Sequence, residues 1–160
     1  MENKLNILIK ELTDMNKTIS TMESCTGGAL VNEITNIPGA SEVIMFSAIT
    51  YSNEYKIKMG VSKEVIDKYS VYSIETAKEM SKTISDFTNS DYGIGITGKL
   101  NRVDKHNLYG KDNIVYISIY DRKKDNYYNY QTMVTSDTRK ENKKLVVNKV
   151  IDELLNIINN

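Results

Sequence analysis

A short β-like segment that runs through two adjacent glycines into a helix-like stretch most strongly limits how this chain can fold. The segment "TISTM" ends at residue 22, and residues 29–35 continue with helical character. Between them, "ESCTGG" places Gly27 and Gly28 where the backbone has to turn sharply. A strand joined to a helix by so short a turn is typical of α/β proteins.

Hydrophobic spacing predicts the remaining elements. Helices are expected over residues 3–15, 62–70, 73–88 and the C-terminal segment 137–158. Strands are expected in the second half of 43–51, over 91–97, and as an antiparallel hairpin formed by 113–121 and 126–134. Strands alternate with helices early and a hairpin follows. The sequence therefore predicts one α/β domain over residues 1–160, with a mixed central sheet covered by helices on both faces.

Charge and composition exclude several classes of protein. The chain has 21 basic and 21 acidic residues and no formal net charge, which argues against a nucleic-acid partner. A single cysteine excludes an internal disulfide and fits a reducing compartment. The N-terminal segment lacks the apolar region and cleavage site of a signal peptide, and no apolar run is long enough to span a membrane. A cytoplasmic protein without a membrane segment is expected.

Histidine and cysteine offer few routes to chemistry in this chain. His106 is the only histidine available for a Ser-His-Asp triad, and its polar surroundings predict an exposed loop instead. Cys25 precedes a helix N-terminus, which lowers a thiol pKa, but without a nearby base a packing role is favoured. Metal sites built from histidine and cysteine are nearly excluded, while a carboxylate site for a hard cation stays open.

Two further possibilities remain open from the residues alone. A serine can be activated by a desolvated lysine, and "GASEVIMFSAITYSNEYK" contains Ser41, Tyr51 and Lys56, although their composition and spacing do not select them. The turn within "ESCTGG" can hold a phosphate or an oxyanion, or it can simply connect a strand to a helix.

Four sequence blocks together resemble one known family. "ESCTGG" (23–28), "PGAS" (38–41), "ITYSNEYK" (49–56) and "GIGITG" (93–98) occur in the order found in the CinA-type C-terminal domain. This domain is also found alone, as bacterial nicotinamide-nucleotide amidohydrolase. The resemblance runs from about residue 5 to the end of the chain. It implies a three-layer α/β/α sandwich, hydrolysis of nicotinamide mononucleotide to nicotinic acid mononucleotide and ammonia, no metal or other cofactor, and self-association into a homo-oligomer.

The resemblance also implies roles for individual residues. Ser41 matches the proposed nucleophile, Lys56 the partner that activates it, and Tyr51 the assisting hydroxyl. The positions that match oxyanion or substrate contacts are Ser24, Thr26, Gly27, Gly28, Thr97 and, more loosely, Arg139.

The spacing of these residues imposes a geometric condition. Ser41 and Tyr51 are 10 residues apart, and a fully extended connection would separate them by roughly 30 Å. They can share a site if residues 41–46 turn back as a helical segment, or if two subunits complete each other's sites.

The segment after "GITG" departs from the family pattern. Where the family continues with Ile-Ala-Gly-Pro and a glycine-rich loop, this chain reads "KLNRVDKHNLYGKDN". Its basic residues either hold a substrate 5′-phosphate or are solvated: Lys99, Arg102, Lys105 and Lys111. Two alternatives to the amidohydrolase therefore stay open, an inactive nucleotide-binding member of the family and an amidase for a different small amide.

Overall fold

The computed structural model describes residues 1–160 as six α-helices and five β-strands. The helices are α1 Glu2–Asp14, α2 Ala29–Thr35, α3 Asn53–Met59, α4 Lys63–Tyr69, α5 Ile74–Thr88 and α6 Arg139–Ile158. The strands are β1 Ile19–Glu23, β2 Ile44–Ile49, β3 Tyr92–Gly98, β4 Ile114–Asp121 and β5 Asn126–Met133. None of the helices combines the length and the apolar character that crossing a membrane requires.

The five strands form one mixed sheet in the order β2-β1-β3-β4-β5. β1 pairs in parallel with both β2 and β3, whereas β4 runs antiparallel to β3 and to β5. The parallel part comes from strands separated by helices, and the antiparallel part consists of β3 together with the predicted hairpin β4–β5. The α/β fold with a mixed central sheet is therefore confirmed.

Helices cover both faces of the sheet. One face packs against α1, α2 and α6 and contains the larger apolar core, which includes Leu8, Ile94 and Val150. The other face packs against α5, with a smaller core that includes Met22, Met80 and Ile84. The three layers follow from the sequence, because strands buried on both faces need apolar helices on each side.

α5 lies unusually close to β3 because two glycines in that strand have no side chains. A Cβ atom built on Gly93 would lie 2.0 Å from the carbonyl oxygen of Ser81, and one built on Gly95 would lie 2.4 Å from that of Ala77. The backbone of α5 therefore occupies space that side chains of β3 would otherwise fill.

Two details of the chain differ from the sequence prediction. The helical turn over 41–46, one of the two arrangements that would bring Ser41 to Tyr51, does not form, because only Ala40–Glu42 form a short 3₁₀ turn and β2 is already extended from residue 44. The helix α3 was not predicted. Its signals are nonetheless present: Ser52 Oγ accepts a hydrogen bond from the Tyr55 N–H at 3.2 Å, and Gly60 ends the helix at φ +115°.

Candidate active site

The candidate site lies where the three parallel strands end. Ser24 follows β1, Tyr51 follows β2, and Gly98 is the last residue of β3. Parallel strands bring their carboxyl ends to one edge of the sheet, which is where ligands bind in open α/β folds. A cavity of about 650 Å³ opens at this edge, and all three residues line it.

A buried carboxylate fixes the turn after β1. Glu23 is fully buried, and its carboxylate accepts hydrogen bonds from Thr26 Oγ1 at 2.7 Å and from the N–H groups of Leu30 and Val31 at 3.0 Å each. The last two donors belong to the first turn of α2, which has no intrahelical acceptors for them. Glu23 therefore holds the segment 24–28 against α2, and this sets the position of Ser24.

Lys56 contacts Ser24 inside the protein. The Lys56 side chain, only 1% exposed, donates hydrogen bonds from Nζ to Ser24 Oγ at 3.0 Å and to the carbonyl oxygen of Thr50 at 2.7 Å. Neither acceptor carries a charge that would stabilise an ammonium group. Burial accordingly lowers the pKa of Lys56 from 10.5 to about 8. At pH 7 about a tenth of the molecules then hold a neutral amine beside the serine hydroxyl.

The residue after Ser24 also lines the cavity and has a backbone N–H without a backbone partner. The Cys25 N–H, unlike that of Ser24, donates to no backbone acceptor. The Cys25 thiol also lines the cavity, but burial raises its pKa to about 12. The thiol is therefore protonated at neutral pH, whereas the adjacent N–H can donate to a negatively charged oxygen.

Tyr51 and Arg139 meet across the opening of the cavity. Arg139 Nη2 donates to the Tyr51 hydroxyl oxygen at 3.2 Å, and both side chains line the cavity. Tyr51 is 65% exposed, in contrast to the buried Lys56. The pair lies 88 positions apart in sequence and is joined only by the fold, because α6 begins at this edge of the sheet.

The structure does not bring Ser41 to Lys56 within one chain, so of the two expected arrangements only a site completed by a second subunit remains for this pair. Ser41 is exposed, precedes β2 and does not line the cavity. Along the β1–β2 pair, Ile44 lies opposite Ile19, at the end of β1 that is farthest from Ser24. The extended strand β2 alone separates the two ends by about 17 Å. Ser41 could reach Lys56 only from a second copy of the chain.

Four other expected contacts lie outside the cavity. Thr97 is buried and its hydroxyl donates to the carbonyl oxygen of Val71 at 2.9 Å, so its proton is not free for an oxyanion. Thr26, Gly27 and Gly28 line a separate shallow depression next to α2. The two glycines adopt φ +61° and +95°, and they serve to turn the chain into the helix.

The segment 99–112 forms one wall of the cavity and is held to the connection between α4 and α5. The Tyr72 hydroxyl donates to the Asp104 carboxylate, and Asn107 Nδ2 donates to Ser70 Oγ at 3.2 Å. Burial and the hydrogen bond to Asp104 together raise the pKa of Tyr72. The segment is therefore more than a solvated loop, and its residues face any ligand in the cavity.

Sequence reasoning named Lys99 only as one of four basic residues, and it missed the two groups that hold this side chain in place. Lys99 is almost buried, forms an ion pair with Asp112 at 3.3 Å, and lies over the Tyr72 ring at 4.9 Å. The sequence indicated only the charge of Lys99, because its contacts with Asp112 and Tyr72 form only in the folded chain. His106 is exposed, as expected, but it lines the cavity. No group of three or more histidine, cysteine, aspartate or glutamate side chains is arranged to hold a metal ion.

Comparison with known families gives a match over nearly the whole chain. The family described as the CinA C-terminal domain matches residues 2–158. A CinA-like protein of Endomicrobium trichonymphae is 38% identical over 146 residues, which is 89% of this chain and 33% of that protein. A putative competence-damage inducible protein of Clostridium perfringens is 48% identical over 90 residues, which is 56% of this chain and 22% of that protein. The chain thus spans a third or less of these relatives.

Solved structures share the fold. The competence/damage inducible protein CihA of Agrobacterium tumefaciens superposes with a TM-score of 0.87 at 25% identity, covering 99% of this chain and 95% of that one. A CinA superfamily protein of Klebsiella pneumoniae gives a TM-score of 0.90 at 19% identity, covering 98% of this chain and 96% of that one. These likenesses support the α/β architecture over the full length.

Proposed function

Because the chain belongs to the CinA C-terminal domain family, we propose that it hydrolyses the carboxamide of nicotinamide mononucleotide to give nicotinic acid mononucleotide and ammonia. The substrate is proposed from the resemblance of the four sequence blocks. The geometry of the cavity supports an amide hydrolysis that uses Ser24 as nucleophile and Lys56 as general base.

The observation that carries this proposal is the contact between Lys56 and Ser24. A serine hydroxyl is a weak nucleophile until a neighbouring base removes its proton. Lys56 lies at hydrogen-bonding distance, 3.0 Å, and its lowered pKa of about 8 makes the neutral amine accessible. The Thr50 carbonyl accepts one N–H of this amine, and so leaves the nitrogen lone pair free to face Ser24.

The reaction then follows ordinary acyl transfer. Neutral Lys56 takes the Ser24 proton while the hydroxyl oxygen attacks the carboxamide carbon, and the carbonyl oxygen becomes an oxyanion. The Cys25 N–H donates to this oxyanion, as the residue after a nucleophile does in other serine hydrolases. Protonated Lys56 returns the proton to the leaving nitrogen, ammonia departs, and water hydrolyses the acyl-serine to the free acid.

The direct test is ammonia release from nicotinamide mononucleotide, with the acid product identified by mass. Turnover by the purified chain, lost in Lys56→Ala, supports the proposal. Binding of nicotinamide mononucleotide without turnover would instead favour a non-catalytic nucleotide-binding protein. Absence of both binding and turnover would favour an amidase for another small amide.

The rate should depend on pH through the ionisation of Lys56. Its pKa is lowered from 10.5 to about 8, so the neutral base is scarce below pH 8 and predominant above it. We therefore expect kcat/KM to rise about tenfold per pH unit up to about pH 8 and then to level off. Lys56→Arg, which keeps the charge but cannot lose a proton, should be inactive across the whole range. A flat profile below pH 8, or an active Lys56→Arg, would exclude this base.

The thiol beside the proposed nucleophile should be dispensable. Burial keeps Cys25 protonated, and its side chain packs in the larger core. Cys25→Ala should therefore keep kcat within about threefold of wild type and lower stability by about 1 kcal/mol. Loss of ammonia release in a folded Cys25→Ala protein would instead assign the chemistry to the thiol.

A further inference from the structure

The cavity is strongly cationic although the chain as a whole is neutral. Its lining contains four basic side chains, Lys56, Lys99, Arg102 and Arg139, and a single carboxylate, Asp104. The whole chain has 21 basic and 21 acidic residues, so the excess at this position is local. A cavity lined by one sign of charge favours ligands of the opposite sign.

Most of these charges already have partners inside the protein. Lys99 is paired with Asp112 at 3.3 Å. The Asp104 carboxylate accepts from the Tyr72 hydroxyl and from the His106 N–H, which lower its pKa and keep it ionised. Asp104 is therefore engaged by Tyr72 and by its own loop, and it forms no ion pair with an arginine of the cavity.

Two guanidinium groups remain without a carboxylate. Arg102 donates only through its backbone N–H, to the Asp112 carbonyl oxygen at 3.2 Å, and its side chain has no acceptor in the protein. Arg139 donates only to the neutral hydroxyl of Tyr51. Both side chains line the cavity that contains the Ser24–Lys56 contact. The backbone hydrogen bond between Arg102 and Asp112 joins the two arms of the 99–112 segment. It therefore holds Arg102 in the wall of the cavity.

We propose that Arg102 binds the phosphate of the substrate and that it makes this chain select phosphorylated over unphosphorylated amides. The inference rests on the proposed amide hydrolysis at Ser24, and it adds a specificity residue in a segment that departs from the family pattern. A guanidinium offers two parallel donors that match two oxygens of a phosphate. With Lys56 assigned to the reacting amide and Lys99 paired with Asp112, Arg102 is the cation of the 99–112 segment that both lines the cavity and has no acidic partner.

The first experiment measures binding in a protein that cannot turn over. In the Ser24→Ala background, calorimetric titration should show that Arg102→Gln weakens nicotinamide mononucleotide about 10- to 100-fold, as expected for a lost hydrogen bond to a charged group. Binding of nicotinamide riboside, which lacks the phosphate, should stay unchanged. Lys105→Gln removes the same charge from the same loop but lies outside the cavity lining, and it should change neither affinity. Equal weakening of both ligands, or an effect of Lys105→Gln as large as that of Arg102→Gln, would overturn the proposal.

A second probe separates this inference from the proposed reaction. Ribose 5-phosphate carries the phosphate without the amide, and we expect it to bind the wild-type chain, to bind more weakly to Arg102→Gln, and to bind more tightly than ribose. If nicotinamide mononucleotide is not hydrolysed but this pattern is found, the phosphate site stands and the reaction falls. If ribose 5-phosphate binds wild type and Arg102→Gln equally, or does not bind at all, Arg102 is not a phosphate ligand, whatever the turnover. Thermal unfolding of each variant confirms that the folded protein is being compared.

Discussion

Replacing Ser24 with alanine should reduce ammonia release from nicotinamide mononucleotide by about 10,000-fold or more, because no other hydroxyl lies against the buried amine of Lys56. Binding of the substrate should change little, since the alanine is smaller and leaves the turn after β1 intact. Steady-state kinetics with a sensitive ammonia assay, together with a binding titration, separates the two effects.

Ser41→Ala is the matched control for this experiment. Ser41 is exposed at the opposite end of the sheet, so its replacement should leave kcat within about twofold of wild type. The opposite pattern, an active Ser24→Ala and an inactive Ser41→Ala, would mean that Ser41 of a second copy attacks the substrate. In that case a mixture of Ser41→Ala and Lys56→Ala chains should regain activity, since each supplies what the other lacks.

The largest loss of stability is expected for Gly93→Ala. The new methyl group would lie 2.0 Å from the carbonyl oxygen of Ser81 and 2.9 Å from the Cβ of Ser85, so α5 has to move away from β3. Overpacking of this kind should lower the free energy of unfolding by about 3 kcal/mol or more. For a domain of this size such a loss lowers Tm by roughly 6–12 °C, which calorimetry or urea unfolding measures.

Gly39→Ala separates this clash from the general cost of replacing a glycine. Gly39 has φ +89°, but a Cβ built there meets only the Ile9 Cγ2 atom, at 3.9 Å. The cost should therefore be that of a left-handed backbone alone, about 1 kcal/mol. If Gly93→Ala were no less stable than Gly39→Ala, the close approach of α5 to β3 would not be a constraint on the fold.

Local signals were sufficient for most of the fold. Apolar spacing located α1, α2, α4, α5 and α6, and alternation located the hairpin β4–β5. The sequence did not decide between a helical turn and a strand before Tyr51, because "SEVIMF" fits both. The choice was made by pairing: β2 lies along β1 in parallel, and each of its hydrogen bonds requires an extended backbone.

The candidate site was only partly accessible from the sequence. The resemblance pointed to Ser24, Tyr51, Lys56 and Arg139, and the structure places all four on one cavity. It also pointed to Ser41 and Thr97, which the structure places elsewhere or binds to the backbone. Matching positions along a chain indicates which residues belong together, but it carries no information on which side chain points where.

The sequence by itself determined the class of fold and the edge at which a site can form, because strand, glycine turn and helix follow from the local preferences of neighbouring residues. Only the tertiary structure decided which serine meets Lys56, that this lysine is buried among uncharged acceptors, and that Arg102 has no carboxylate partner. Those facts depend on contacts between residues that are distant in the chain. Burial and electrostatic environment, which set a pKa and leave a charge available, exist only once such contacts have formed.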